Sequence, residues 1–450
     1  MKRGIFLAIL MLLTSSLTFF AQYSDHRNRN VDSLENVLAT NPPEGADLSR
    51  AYRDLMWGYL QVNPEKSMEY ARKRLEMAAP PDDLGIMSVC YRLLAINFYH
   101  IRQYDSAAVY YDRALETAES MNDFPEKFDE KDISSLFASI YGNMGNLFNV
   151  QGQYGEAIAY YQKLLVICEK FDWKTLQANA CYNMGELYIG MDNFEQAQIN
   201  YARLDVLARE VGDTAFAALA KVGLSKVFKH YGDYEKALEN ANTAYAYYLA
   251  HPEEGMFMCN ILVLLAGIHL EGYDDDGRAE AFARQALALA DETDSPVYKS
   301  ESLRLLSTVY LRRGQWLRAE QAALEALAAS DSEQANTLAV YENLAKAYAH
   351  SGNASKAGEY IDKLKELQST WSNRHFQSAL REMEVRYESE RKALEIERQQ
   401  HTIDRKNMQG RLRNHVPSRF SFNHFDICHR AQLLTCTATI ARMQRFKVSG

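Results

Sequence analysis

The chain has 450 residues, of which 47% are hydrophobic and 24% charged, with a net charge of −9 at pH 7. That length exceeds one ordinary core but suits a repeat array, which grows without needing a single core. The acidic balance argues against general nucleic-acid binding, and nine prolines suit a mostly helical chain.

Met1–Gln22 has the layout of a secretory signal. Lys2 and Arg3 give a basic start, Ile5–Leu13 is an unbroken apolar run, and Ser15–Ala21 is less apolar. Cleavage is expected after Ala21. The first cysteine, Cys90, comes too late to carry a lipid next to the apolar run. The protein is therefore expected in the periplasm or cell envelope of a bacterium, with no stable membrane span beyond this segment.

Between residues 30 and 370 one pattern recurs. Its clearest copies are Asn143-Met-Gly-Asn-Leu-Phe148 with Gly152, Tyr154, Ala157 and Tyr161, and Asn183-Met-Gly-Glu-Leu-Tyr188 with Asn193, Phe194, Ala197 and Tyr201. Gly145 and Gly185 are 40 residues apart, and Ser225, Gly267, Ser307 and Ala345 continue the series. Ala95 and a degenerate copy around Leu55 extend it backward, making eight copies. Self-similarity at a fixed period signals a solenoid. Within each copy, apolar residues three or four apart form two helical stripes. In the fifth copy these are Leu224 and Phe228, then Tyr234, Ala237, Leu238 and Ala241, separated by Gly232-Asp233. Glycine tolerates positive φ and so ends the first helix. Small residues in the first helix, facing Ala107, Ala157, Ala197, Ala237, Ala279, Ala319 and Ala357 in the second, predict close helix pairs. The 50-residue step from Ala95 to Gly145 predicts an inserted loop at Glu119–Asp132.

This pattern resembles the tetratricopeptide repeat family from about Ser49 to Leu364. The resemblance implies an all-α, right-handed solenoid of about eight helix pairs. The period is longer than the family's usual ~34 residues, so longer helices are expected. It also implies a ligand surface on the first helices. Asn143, Asn146, Asn149, Asn179, Asn183, Glu186, Lys226 and Lys229 fall at expected solvent-facing places there. Side-chain amides can donate and accept, which suits a peptide backbone, and the lysines could hold a carboxylate. The family's carboxylate clamp is matched only by Asn146 and Asn183. Gly142, Leu219 and Gly223 stand where its basic residues would be.

Other groups read as structural. His100, His230 and His350 each end a first helix, where a cation complements the dipole. Asp274-Asp275-Asp276-Gly277 resembles part of a calcium loop, but Gly272 and Ala283 stand where acids are required. Cys168 and Cys181 come from adjacent copies and could lie near each other; buried cysteines are the plainer expectation. No phosphate loop, nucleophile elbow or Cys-x-x-Cys pair is present in the sequence, so no cofactor, metal or catalytic residue is expected.

Trp371–Gln409 lacks proline and glycine and is expected to form one charged helix, ~58 Å long. Its partial seam of Phe376, Leu380, Met383, Tyr387 and Leu394 offers a surface for a homodimeric coiled coil. Residues 410–450 carry seven basic residues against the single acid Asp426 and show no sustained period. They read as an irregular tail that is truncated or out of frame. His424, Cys428, His429 and Cys436 match no familiar zinc spacing. Signal segment, repeat array and charged helix in that order are similar to bacterial sensor proteins with such repeats. The resemblance implies a protein or peptide ligand and a sensory role, here without a membrane span or output domain. The alternative is a free-standing scaffold for an envelope complex.

Overall fold

A computed structural model describes residues 31–369, apart from 32, 61, 253–254 and 330–333. All of them lie in one compact unit. Residues 1–22, 371–409 and 410–450, read above as a signal segment, a charged helix and an irregular tail, lie outside the described residues.

After a short helical stretch at 33–40, sixteen helices form eight successive pairs. The first four pairs are α1 Gly45–Gly58 with α2 Pro64–Glu76, α3 Leu84–His100 with α4 Tyr104–Ser120, α5 Glu130–Val150 with α6 Tyr154–Lys170, and α7 Lys174–Gly190 with α8 Phe194–Val211. The second four are α9 Thr214–His230 with α10 Tyr234–Ala250, α11 Gly255–Gly272 with α12 Asp276–Glu292, α13 Pro296–Arg312 with α14 Trp316–Ala329, and α15 Gln334–His350 with α16 at 354–369. The eight expected copies are thus eight helix pairs, and most helices are 17 residues long, as the extended period requires.

One turn design ends nearly every first helix. A residue with positive φ stands at Arg102, Gly152, Asp192, Gly232, Asp274, Gly314 and Gly352. At six of these seven the next N–H returns to a carbonyl five residues back: Gln103 to Phe98, Gln153 to Phe148, Asn193 to Tyr188, Asp233 to Phe228, Gln315 to Tyr310 and Asn353 to Tyr348, at 2.8–2.9 Å, while Asp275 reaches back six, to His269, at 3.0 Å. This satisfies carbonyls that the helix end leaves orphaned. The same residue often starts the second helix. Asn193, Asp233, Asp275 and Asn353 accept from the N–H three residues on, a side-chain cap that stabilises the new first turn.

Close pairing follows from small residues on both helices. The seven predicted alanines are buried, none more than 6% exposed. A Cβ on Gly145 would stand 2.5 Å from the ring of Tyr161, and one on Gly185 2.6 Å from that of Tyr201. Where serine replaces the glycine, its hydroxyl pins the pair together. Ser225 donates to the Ala237 carbonyl at 2.7 Å and Ser307 to the Ala319 carbonyl at 2.8 Å.

Successive first helices touch from α3 through α15, whereas second helices do not make comparable contacts with one another. The first helices are therefore the inner layer of the array. One apolar cluster runs from Ala157 to Ile268 across four repeats, the shared core that a solenoid needs. Among the described residues α11 is the helix long and apolar enough to cross a membrane, and 72% of it is buried inside the array.

The expected loop at Glu119–Asp132 is more ordered than its composition suggested. α4 continues to Ser120, a 3-10 turn spans Met121–Asp123, and α5 already begins at Glu130. Asp129 caps α5 by accepting from Asp132 N–H at 2.7 Å. Part of the insertion thus becomes extra helix, and Met121, Phe124 and Phe128 fold back onto Leu84 and Ile133.

Candidate functional site

The eight candidate residues lie on three consecutive first helices of the inner layer: α5 carries Asn143, Asn146 and Asn149; α7 carries Asn179, Asn183 and Glu186; α9 carries Lys226 and Lys229. They differ in what they can offer a ligand. Asn146 and Asn183 are 7% and 3% exposed, not solvent-facing as expected. Asn146 accepts the hydroxyl of Tyr161. The Asn183 side chain donates to Asn179 Oδ1 at 2.9 Å.

Both lysines are half-buried and hold carboxylates of this chain. Lys226 Nζ lies 3.2 Å from Glu186 across one repeat boundary, and Lys229 lies 2.8 Å from Glu271 across the next. Glu186 also accepts the Tyr201 hydroxyl at 2.6 Å. Lysine charge expected to be free for a ligand is thus spent on stitching repeats four, five and six together. Asn143, Asn149 and Asn179 remain half-buried, and the Asn143 amide nitrogen is buried without a hydrogen-bond partner among the described residues.

The two tyrosines that complete this arrangement were not visible as functional. Each follows its acceptor by fifteen residues, Asn146 to Tyr161 and Glu186 to Tyr201. That fixed offset within an aligned repeat is the signal that could have found them. Burial pushes both hydroxyls well above the usual tyrosine range, so they serve as neutral donors. The clamp positions are closed for a related reason: Leu219 is 2% exposed, and a side chain on Gly223 would collide with the Tyr201 ring.

The histidines do not act as helix-end cations throughout. His100 is 9% exposed, and burial pushes its pKa down to about 4, so it is neutral near pH 7. His230 stacks on Phe194 with ring centroids 3.5 Å apart, and His350 stacks on Trp316 at 4.1 Å. At His230 and His350 the end of a first helix lies over the first residue of the preceding repeat's second helix. The Asp274–Asp276 turn meets the same junction with charge: Arg312 pairs with Asp274 and, at 3.2 Å, with Asp276. Among the described residues no group of three or more His, Cys, Asp or Glu could hold a metal. Cys90, Cys168, Cys181 and Cys259 are buried free thiols. An open pocket of about 530 Å³, lined by Ser135, Ser139, Trp173, Lys174 and Val211, contains none of the eight candidates.

The sequence profile of the tetratricopeptide repeat family matches residues 136–204. No curated protein matches the sequence. Several solved structures are similar to this chain. The apo form of RapI is 15% identical, with 64% of this chain and 99% of that chain covered and a TM-score of 0.52. A Rap protein complexed with Competence and Sporulation Factor is 13% identical, with 78% and 99% covered and a TM-score of 0.52. A repeat protein from Parabacteroides merdae ATCC 43184 is 14% identical, with 66% and 98% covered and a TM-score of 0.45.

Proposed function

We propose that this chain, a tetratricopeptide repeat protein, is a non-enzymatic module that binds a protein or peptide along its first helices. The observation that carries this reading is the run of half-buried amides, Asn143, Asn149 and Asn179, on touching helices of the inner layer. Such groups can pair with both the N–H and C=O of an extended backbone. The surrounding ion pairs hold the inner layer in place before a ligand arrives, which limits the ordering cost of binding. The Rap protein that shares the fold was solved with Competence and Sporulation Factor bound, which supports ligand capture by an array of this kind. In this reading the module is exported through Met1–Gln22, works in the cell envelope as the sensory part of a signalling protein, and pairs with a second copy through 371–409.

The test is selection of short random peptides on the purified chain, followed by rebinding to an Asn143→Ala, Asn149→Ala, Asn179→Ala variant. Retained helicity with about tenfold weaker binding, ~1.4 kcal/mol, is expected. Unchanged binding by the folded variant would remove these amides from the site.

A further inference from the structure

The second helices of repeats one to seven each touch the first helix of the next repeat. The residue four places after the buried alanine registers that contact. In repeats two to seven it is Tyr111, Tyr161, Tyr201, Ala241, Ala283 or Ala323, and every one is 0% exposed. In repeat eight it is Ile361, which is 41% exposed. Leu364 and Leu367, further along α16, are half-buried. The described array therefore ends on the apolar face that its earlier repeats cover. Water contact with such a face is unfavourable, and a solenoid gains by closing it.

At the opposite end the chain covers itself. Val31, Leu34 and Leu38 pack against the core of the first repeats, and Glu35 accepts from Lys66 at 2.8 Å and from Tyr70 at 3.0 Å. A second copy stacked end to end would have to displace that stretch. Register identifies the cover for α16. From Ala157 to Gly185, Ala197 to Ser225 and Ala279 to Ser307, the next first helix places its small residue 28 positions after the buried alanine. The same step from Ala357 reaches Val385. Phe376 then falls nine residues earlier, the place where Ile86, Leu136, Leu176 and Phe216 pack inward. Leu380 falls five earlier, where Cys90, Ile140, Ala180, Ala220 and Val340 are each 0% exposed. Met383 falls two earlier, the place from which Gly223 meets the Tyr201 ring. That contact is reciprocal in size: glycine faces tyrosine, whereas Leu93, Leu265 and Leu305 share clusters with Ala71, Ala241 and Ala283. Isoleucine facing methionine, a side chain that fills irregular gaps, obeys the same rule.

We propose that the open face of α16 is the docking surface for residues 371–385 of the same chain, which lie on it as a ninth first helix with Met383 over Ile361. Val385 stands where repeats two to eight use glycine, serine or alanine to admit a second helix, so this helix covers the end unpaired. The placement does not depend on any ligand. It leaves the residues from Arg386 onward for pairing with a second copy.

The test uses the purified full chain with Cys428→Ser and Cys436→Ser, so that the remaining native cysteines are the four buried ones. Ile361→Cys is combined with Met383→Cys or, one residue off the contact, with Glu382→Cys, and both chains are mildly oxidised. The Met383→Cys chain should close a disulfide within itself at least about tenfold faster than the Glu382→Cys chain, because a loose tether would present both positions at the same effective concentration. Equal closure, or none in either chain, overturns the docking. A disulfide between chains that outpaces the internal one overturns it in favour of a second copy on this face. Melting is scored in parallel on the full chain. Leu380→Asp should lower the melting temperature by about 2–4 °C, and Glu382→Lys should leave it unchanged. A Leu380→Asp chain that melts with wild type, or an equal loss in both variants, also overturns the proposal.

Discussion

The ring of Tyr201 occupies the space that Gly185 leaves on α7: a Cβ there would stand 2.6 Å from the ring. Gly223, on α9 of the next repeat, closes the other side of the same ring. One fully buried tyrosine thus packs against two repeats at once and carries part of the coupling between them. Gly185→Ala and Gly223→Ala should each destabilise the array by ~1–3 kcal/mol through overpacking. Denaturant unfolding checks this, and Tyr201→Leu should relieve part of the Gly223→Ala cost. Unfolding midpoints equal to wild type would show that the interface yields more easily than its geometry implies.

Asn146 is best understood through Tyr161. Truncation to alanine leaves the Tyr161 hydroxyl, in a side chain 0% exposed, with its acceptor removed. The expected loss is ~1–3 kcal/mol. Tyr161→Phe in the same chain removes the orphaned donor, so the double variant should recover most of that loss. A double variant as unstable as the sum of the two single variants would contradict a direct partnership.

The repeat number, the helix pairs, the glycine-ended turns and the tight alanine positions were legible because each depends on local chemistry that recurs with the period. Gly232 needs only its own backbone freedom, and Ala237 only its small size. The candidate site was less legible because a repeat register says which side chains face inward and not which of them find partners. Lys226 and Lys229 read as free cations in the sequence; the acids that neutralise them, Glu186 and Glu271, are 40 and 42 residues away. Arg92 shows the converse. Nothing in the sequence marks it as an arginine that has no hydrogen bond or ion pair among the described residues.

Lys226 should therefore affect stability before it affects any ligand. Its ion pair with Glu186 is mostly shielded from solvent, the two side chains being 23% and 22% exposed. Lys226→Met is expected to cost ~1–2 kcal/mol, above the range of fully exposed pairs. In a double-mutant cycle with Glu186→Gln the two effects should fail to add. Strict additivity would mean that the pair contributes nothing to the junction.

Acid should weaken the array through His100. Burial lowers its pKa from 6.5 to about 4 in the folded chain. Between these values the unfolded chain binds the proton and the folded chain does not, so stability rises with pH across that window. The contribution is fully present above about pH 6.5 and is lost on acidification towards pH 4, by up to ~3 kcal/mol. His269 is pushed down for the same reason, burial first, and adds to the same limb. His100→Gln removes one titrating group, and its stability should fall less steeply between pH 6.5 and 4 than that of wild type. Parallel pH profiles would show that His100 is protonated in the folded array.

The array cysteines should be inert while the fold holds. Cys90 and Cys181 have their pKa values pushed up to about 11, and Cys168 and Cys259 to about 12, in every case by burial first. The thiolate is the species that reacts, and at pH 8 a thiol of pKa 11 is ionised in only about one part in a thousand. All four are also 0% exposed, so a reagent must wait for local opening. Brief iodoacetamide treatment followed by peptide mass spectrometry should leave all four unmodified in the native chain and modify all four in denaturant. Mild oxidation should likewise fail to join Cys168 to Cys181, although they come from adjacent repeats. Rapid native labelling of either residue, or a disulfide between them, would mean that the α6–α7 junction opens far more readily than its buried thiols imply.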